Sequence, residues 1–141
     1  MPIHRVTPDP AIGGHMAALI LVVDDDAEMI QMISVALREF GLDVVSAPDA
    51  ETAHAVLHGV LPDAVLLDVA MPRMDGFELL SEWRGAGILT PVLLHTAYNT
   101  PEVRERAATS GANDLVFKPT SIDVLAAKLL MAVDSSQPLL S

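Results

Sequence analysis

Asp24, Asp25, Asp68, Thr96 and Lys118 each stand at or just beyond the end of a short apolar run. Asp24 and Asp25 follow Leu19-Ile20-Leu21-Val22-Val23, and Asp68 closes Ala64-Val65-Leu66-Leu67. Thr96 follows Pro91-Val92-Leu93-Leu94-His95, and Lys118 follows Leu115-Val116-Phe117. A carboxylate in such a setting is costly unless it is paired, metal-bound or at work in a site. Asp68 is therefore either a salt-bridged residue or a functional one. Acidic groups delivered by two strands to one edge repel each other, and a divalent cation relieves the repulsion. Magnesium suits such a site, because it accepts one or two carboxylates together with waters and substrate phosphate. Asp24 and Asp25 could hold the metal, and Asp68 could be a nucleophile or a ligand. Thr96 could donate to a phosphoryl oxygen, and Lys118 could neutralise its charge. Each residue alone is a weak signal. Four strand ends in agreement make a strong one.

The elements that must position these groups are legible in the apolar pattern. Short apolar runs read as buried parallel strands at 18–24, 42–46, 64–67, 91–95 and 114–117. Helical patterns alternate with them, as in a doubly wound α/β domain. Met29, Ile33, Ala36, Leu37 and Phe40 recur at helical spacing, with Gly41 as the stop. A second helix is expected over about 48–57 and a third over about 75–84, with Asp75 as its N-cap. Asp26 reads as the N-cap of the first helix rather than as a metal ligand. Thr100-Pro101-Glu102 opens a fourth helix that stops at Gly111. Ser121 caps the last, with Ile122, Leu125, Leu129 and Val133 on its buried face. The expected fold is a five-stranded parallel sheet with five helices on its two faces, and ligand chemistry at the C-terminal strand ends.

Composition narrows the function classes. The 141 residues suit one domain with a full core. There is no cysteine, which excludes disulfides, thiol catalysis and cysteine-based zinc sites. Eight Lys plus Arg against nineteen Asp plus Glu give a formal charge of −11, so direct binding to DNA or RNA is not expected. The sequence has no uninterrupted apolar span of membrane length and no signal pattern, so no membrane association and a cytoplasmic location are expected. Residues 1–17, with three prolines and a Gly14-His15-Met16 sequence that resembles a cloning scar, read as a flexible leader. Residues 134–141 read as a polar tail or the start of a linker. His54 and His58, four residues apart, read as a solvated helix face rather than a metal site. Met29, Met32 and Met74 read as core and loop filling, and Trp83 as packing for the third helix.

The chain resembles the receiver domains of two-component response regulators, the family that includes the chemotaxis regulator. The resemblance covers roughly 18–133 and rests on LVVDDD at 21–26, LLDVAMPRMDGFEL at 66–79, HTA at 95–97 and FKP at 117–119. It implies a flavodoxin-like sheet of strand order 2-1-3-4-5. It implies that Asp68 accepts a phosphoryl group from a sensor histidine kinase or a histidine phosphotransfer protein, with Thr96 and Lys118 as the other catalytic groups. Asp25 and Asp68 would ligate magnesium with the carbonyl of Ala70, while Asp24 acts mainly through water. Thr96 would then move toward the phosphoryl group and switch a surface of helix four, strand five and helix five toward a downstream protein target. Homodimerisation on activation fits the same surface. Lys118-Pro119 matches a cis peptide of the family.

On this reading the chain is not an enzyme beyond its own phosphorylation and dephosphorylation. A small-molecule phosphatase of the haloacid-dehalogenase type would want a carboxylate where Ala70 stands. A phosphorylation-independent scaffold would have no need of the full polar set. Three departures from the family pattern alter expectations. Leu115 stands where many receivers carry Tyr or Phe, and Phe117 is taken to lie on the opposite face of the strand. Ala70 and Tyr98 flank the path of an attacking water and predict slow self-dephosphorylation. Thr120 stands where a bulky Phe is frequent, which alters packing near the output face.

Overall fold

Alternation along the apolar strands divides the core into two layers, and that division decides which way each strand end points. The computed structural model describes residues 17–136. The strands are β1 (Leu19–Val23), β2 (Asp43–Ala47), β3 (Ala64–Asp68), β4 (Val92–Thr96) and β5 (Asp114–Phe117). The helices are α1 (Ala27–Glu39), α2 (Ala50–Gly59), α3 (Gly76–Gly85), α4 (Pro101–Ser110) and α5 (Ile122–Ser136). One parallel sheet forms in the order β2-β1-β3-β4-β5, as expected. Leu21, Val23, Val65, Leu67 and Leu94 face Ala53, Leu57, Leu80, Trp83 and Ala107 of α2, α3 and α4. Ile20, Val22, Leu66, Leu93 and Val116 face Ile33, Leu37, Leu125 and Leu129 of α1 and α5. No helix among the described residues is long and apolar enough to cross a membrane.

Strand and helix ends shift by one or two residues from the apolar pattern, because polar ends such as Asp68 and Thr96 continue the ladder. The caps match: Asp26 accepts from Glu28 and Met29, Asp75 from Phe77, Thr100 from Val103 and Ser121 from Val124. Asp49 caps α2 through Thr52, which sets the start of that helix later than expected. Trp83 is buried, as expected, whereas Phe40 is exposed because it sits at the C-cap of α1, beyond its apolar stripe. Met32 is likewise exposed rather than filling the core. Helix α5 runs to Ser136, past the expected domain end at 133. The leader, apart from Ala17, and the tail from 137 lie outside the described residues.

One small element has no counterpart in the apolar pattern. Ala70–Met71 and Met74–Asp75 form an antiparallel ladder directly after β3, turning through Arg73 at φ +65°. Gly76 then starts α3 hard against the loop. A Cβ there would come within 2.9 Å of the Asp68 carbonyl and 2.7 Å of the Val69 Cα. Glycine is what lets that helix begin so close to the Asp68 backbone.

Candidate functional site

Parallel strands in register deliver their last residues to one edge of the sheet, and here those residues converge. Asp24 and Asp68 are buried and Asp25 is exposed, and the three carboxylates bring ligand atoms within 4.8 Å of one another. Lys118 Nζ lies 3.5 Å from Asp68 Oδ2 and 3.8 Å from Asp24 Oδ2. The Lys118-Pro119 peptide is cis. Asp68 Oδ1 accepts from the Ala70 amide at 3.1 Å, and Asp24 Oδ1 accepts from the Asp26 amide at 2.9 Å. Each buried carboxylate is thus tied to the loop that follows it.

Thr96 is almost fully buried, and its Oγ1 accepts from the Tyr98 amide at 3.1 Å. That bond folds the start of the β4–α4 loop back on the strand end. Tyr98 itself is 63% exposed. All the strand-end residues expected from sequence therefore share one edge, while Ala70 stands in the adjoining loop.

Burial dominates the electrostatics. It pushes the Asp24 carboxyl up to about 6, with the Asp68 charge adding to the effect and the Asp26 amide and Lys118 opposing it. A hard cation would replace that proton, so the donor set fits a magnesium-sized ion. Burial also pulls His95 down to about 4; Lys118 acts in the same direction and Asp68 against it. His95 is therefore a neutral imidazole at pH 7. It faces away from Thr96 by strand alternation, yet not away from the site. The site straddles the sheet edge, and His95 stands in register with Asp68 on β3. With Lys118, Met29 and Ile33 it lines a small apolar slot between α1 and the β5–α5 loop.

The response regulator receiver domain model matches residues 20–130 of this chain. The chain belongs to the response regulator receiver domain family. The receiver is 39% identical over 110 residues to a probable transcriptional regulatory protein, TcrX, of Mycobacterium tuberculosis, covering 78% of this chain and 47% of that protein. It is 42% identical over 102 residues to an uncharacterized 14.6 kDa protein of Leptolyngbya boryana, covering 71% of this chain and 78% of that one. Among solved structures, the receiver domain of the Francisella response regulator 1452 superposes with a TM-score of 0.81 at 31% identity, covering 85% of this chain and 99% of that one. The chemotaxis protein CheY4 of Vibrio cholerae gives 0.78 at 31% identity, covering 82% and 98%. The chain spans less than half the length of several transcriptional regulators it matches.

Receivers of two-component systems work with histidine kinases and downstream effectors, and they generally bind magnesium in an acidic pocket. Two features of this receiver differ from the sequence reading or escaped it. Phe117 is not on the face opposite Leu115. Both point to the α4 side, since they are two residues apart on one strand. Leu115 packs against the cluster that holds Ala107, and the Arg104 guanidinium of α4 sits 5.1 Å from the Phe117 ring centroid. The second feature is a pair of arginines that hold α4. Arg104 bonds Asn99 Oδ1 through Nε at 3.0 Å and Nη2 at 2.5 Å. Arg106 bonds Asp75 Oδ2 at 2.7 Å while stacking on Phe77 at 4.4 Å. Sequence carries no signal for either, because the partners lie on other elements.

Proposed function

We propose that Asp68 is the phosphoacceptor of this receiver and that its phosphorylation switches a protein-interaction surface. The observation that carries this reading is the shared position of Lys118, 3.5 Å from Asp68 and 3.8 Å from Asp24. A lysine between two buried carboxylates is placed to follow negative charge from a carboxylate to a phosphoryl oxygen. An oxygen of Asp68 attacks phosphorus of a phosphohistidine on a sensor kinase or phosphotransfer protein. The new P–O bond forms as the P–N bond breaks, and the imidazole leaves with a proton from solvent. Lys118 offsets the charge on the transferring oxygens, and the Ala70 amide holds Asp68 in line for the attack. Magnesium, held by Asp24, Asp25, Asp68 and the Ala70 carbonyl, would supply the remaining charge neutralisation.

The Thr96 hydroxyl then donates to a phosphoryl oxygen while still accepting from the Tyr98 amide, and the β4–α4 loop follows. The output surface is α4, β5 and α5, toward a downstream protein or a second copy of the chain. Val124 and Met131 of α5 are 47% and 70% exposed, apolar groups suited to a protein partner. With 8 basic against 19 acidic residues, these residues do not contact DNA directly. The chain turns over nothing but its own phosphoryl group, and Ala70 offers no carboxylate for a hydrolase's acid–base role.

Intact-mass measurement with magnesium and acetyl phosphate, beside Asp68→Asn, tests the reading. One added phosphoryl group that needs magnesium and is lost in the variant is the expected result. Phosphate released without any adduct would point instead to an enzyme with turnover.

A further inference from the structure

We infer that Arg104 is a positioning residue that holds the β4–α4 loop in its unphosphorylated arrangement, a role that rests on the phosphoacceptor reading above. Arg104 touches two segments at once. Its Nε and Nη2 both donate to Asn99 Oδ1, three residues beyond Thr96 in the loop that must move. Its guanidinium also lies over Phe117, the register partner of Thr96 across β4 and β5 and the residue before Lys118. One side chain thereby bridges the loop after Thr96 to the last residue of β5, next to Lys118.

The bridge matters because α4 makes little apolar contact, and its other polar ties, Arg106 to Asp75 and Arg84 to Gly111, run toward α3 rather than to the β4–α4 loop. Ala107 is its one buried apolar residue among those described, with Val103 half-buried beside it. A helix held by so little apolar contact takes its position from polar contacts. Leu115, at the third position before Lys118, has no ring to swing toward the site when Thr96 moves. In this chain the aromatic group coupled to the loop is Phe117, and it is coupled through a guanidinium. When Thr96 moves toward a phosphoryl oxygen it carries Tyr98 and Asn99 with it, and the Asn99–Arg104 bonds must open or shift. Those bonds exist in the resting arrangement, so they oppose the change by whatever they contribute to that arrangement alone. Guanidinium–aromatic and exposed hydrogen-bond contacts of this kind set a cost of several-fold in an equilibrium constant.

The test titrates magnesium plus beryllium fluoride, a non-hydrolysing stand-in for the phosphoryl group, into full-length chain. Binding is followed by the Tyr98 and Asn99 amide resonances. Arg104→Ala is expected to bind the probe about three- to tenfold more tightly than wild type. Phe117→Leu should tighten binding in the wild-type background and add nothing once Arg104 is gone. Arg104→Lys, which keeps a cation near the ring but loses the paired hydrogen bonds to Asn99, should fall between. A residue that only stabilised α4 would lower the melting temperature without tightening the probe. Affinity of Arg104→Ala within twofold of wild type, or weaker, overturns the inference while leaving the phosphoacceptor reading intact. Failure of wild type itself to bind the probe or to phosphorylate at Asp68 overturns both.

Discussion

One ammonium is shared by two buried carboxylates: Lys118 Nζ stands 3.5 Å from Asp68 and 3.8 Å from Asp24, and the two acids come from different strands. At these distances the lysine tethers both without committing to either, so it remains available to a phosphoryl oxygen. Lys118→Met removes that charge and leaves two like charges facing each other. Phosphorylation by acetyl phosphate is expected to slow by about 10²-fold, the usual scale for losing one preorganised stabiliser of a transition state. Magnesium binding should persist. A rate within threefold of wild type would remove Lys118 from the chemistry.

Asp24 and His95 titrate in opposite senses beside the same site. Asp24, raised from 3.8 to about 6, binds its proton more tightly when folded. Its contribution is complete below pH 3.8 and is lost as pH rises through about 6. His95, lowered from 6.5 to about 4, contributes above pH 6.5 and is lost as pH falls through about 4. In chelator the two trends oppose each other across nearly the same window. Urea midpoints should expose them separately. Asp24→Asn is expected to lose stability steadily on acidification, and His95→Leu to gain it, each by up to about 1.4 kcal/mol per pH unit. Parallel curves for the two variants would contradict the assignment. Added magnesium displaces the Asp24 proton, so its stabilising effect should shrink as pH falls below about 6.

Far from the site, Arg84 closes the lower end of the fold. Its guanidinium donates to the carbonyls of Gly111, Ile88 and Thr90 and to the side chain of Asn113, at 2.8 to 3.0 Å. Asn113 Oδ1 also accepts from the Val92 amide, so the cluster fixes α3, the end of α4 and the start of β4 together. Arg84→Met keeps the stem but strands those acceptors, and is expected to cost about 2–4 kcal/mol in urea unfolding. Gly111→Ala should also destabilise, because φ is +94° there and a Cβ would lie 2.9 Å from the Arg84 Cγ. Phosphorylation at Asp68 should survive both changes in whatever fraction stays folded.

Slow loss of the phosphoryl group follows from what surrounds Asp68. Ala70, the first loop residue beyond Val69, has no side-chain group to orient an attacking water, and Tyr98, two residues beyond Thr96, is the residue expected on the other flank. The phosphorylated chain is therefore expected to decay over minutes or longer in magnesium. Ala70→Asn, which can hydrogen-bond a water, should shorten the lifetime several-fold. Decay of the wild type within seconds would contradict this.

The α/β class, five strands in parallel, the four capping residues and the convergence of Asp24, Asp25, Asp68, Thr96 and Lys118 on one sheet edge were all readable from residue types in order. Each depends on contacts that are local or periodic: an apolar strand, a capping oxygen, a polar group at a strand end. Thr96 and Lys118 were recognisable because their strand ends agree with the two acidic ones, not because either residue is telling alone. What only the folded chain decided was lateral. Tertiary packing set His95 beside Asp68, because the site straddles a sheet edge that strand alternation alone does not locate. It also laid Arg104 across Asn99 and Phe117 and wound Arg84 through four acceptors. A long guanidinium side chain has no periodicity and chooses partners by proximity across elements, so its role becomes visible only once those elements are packed.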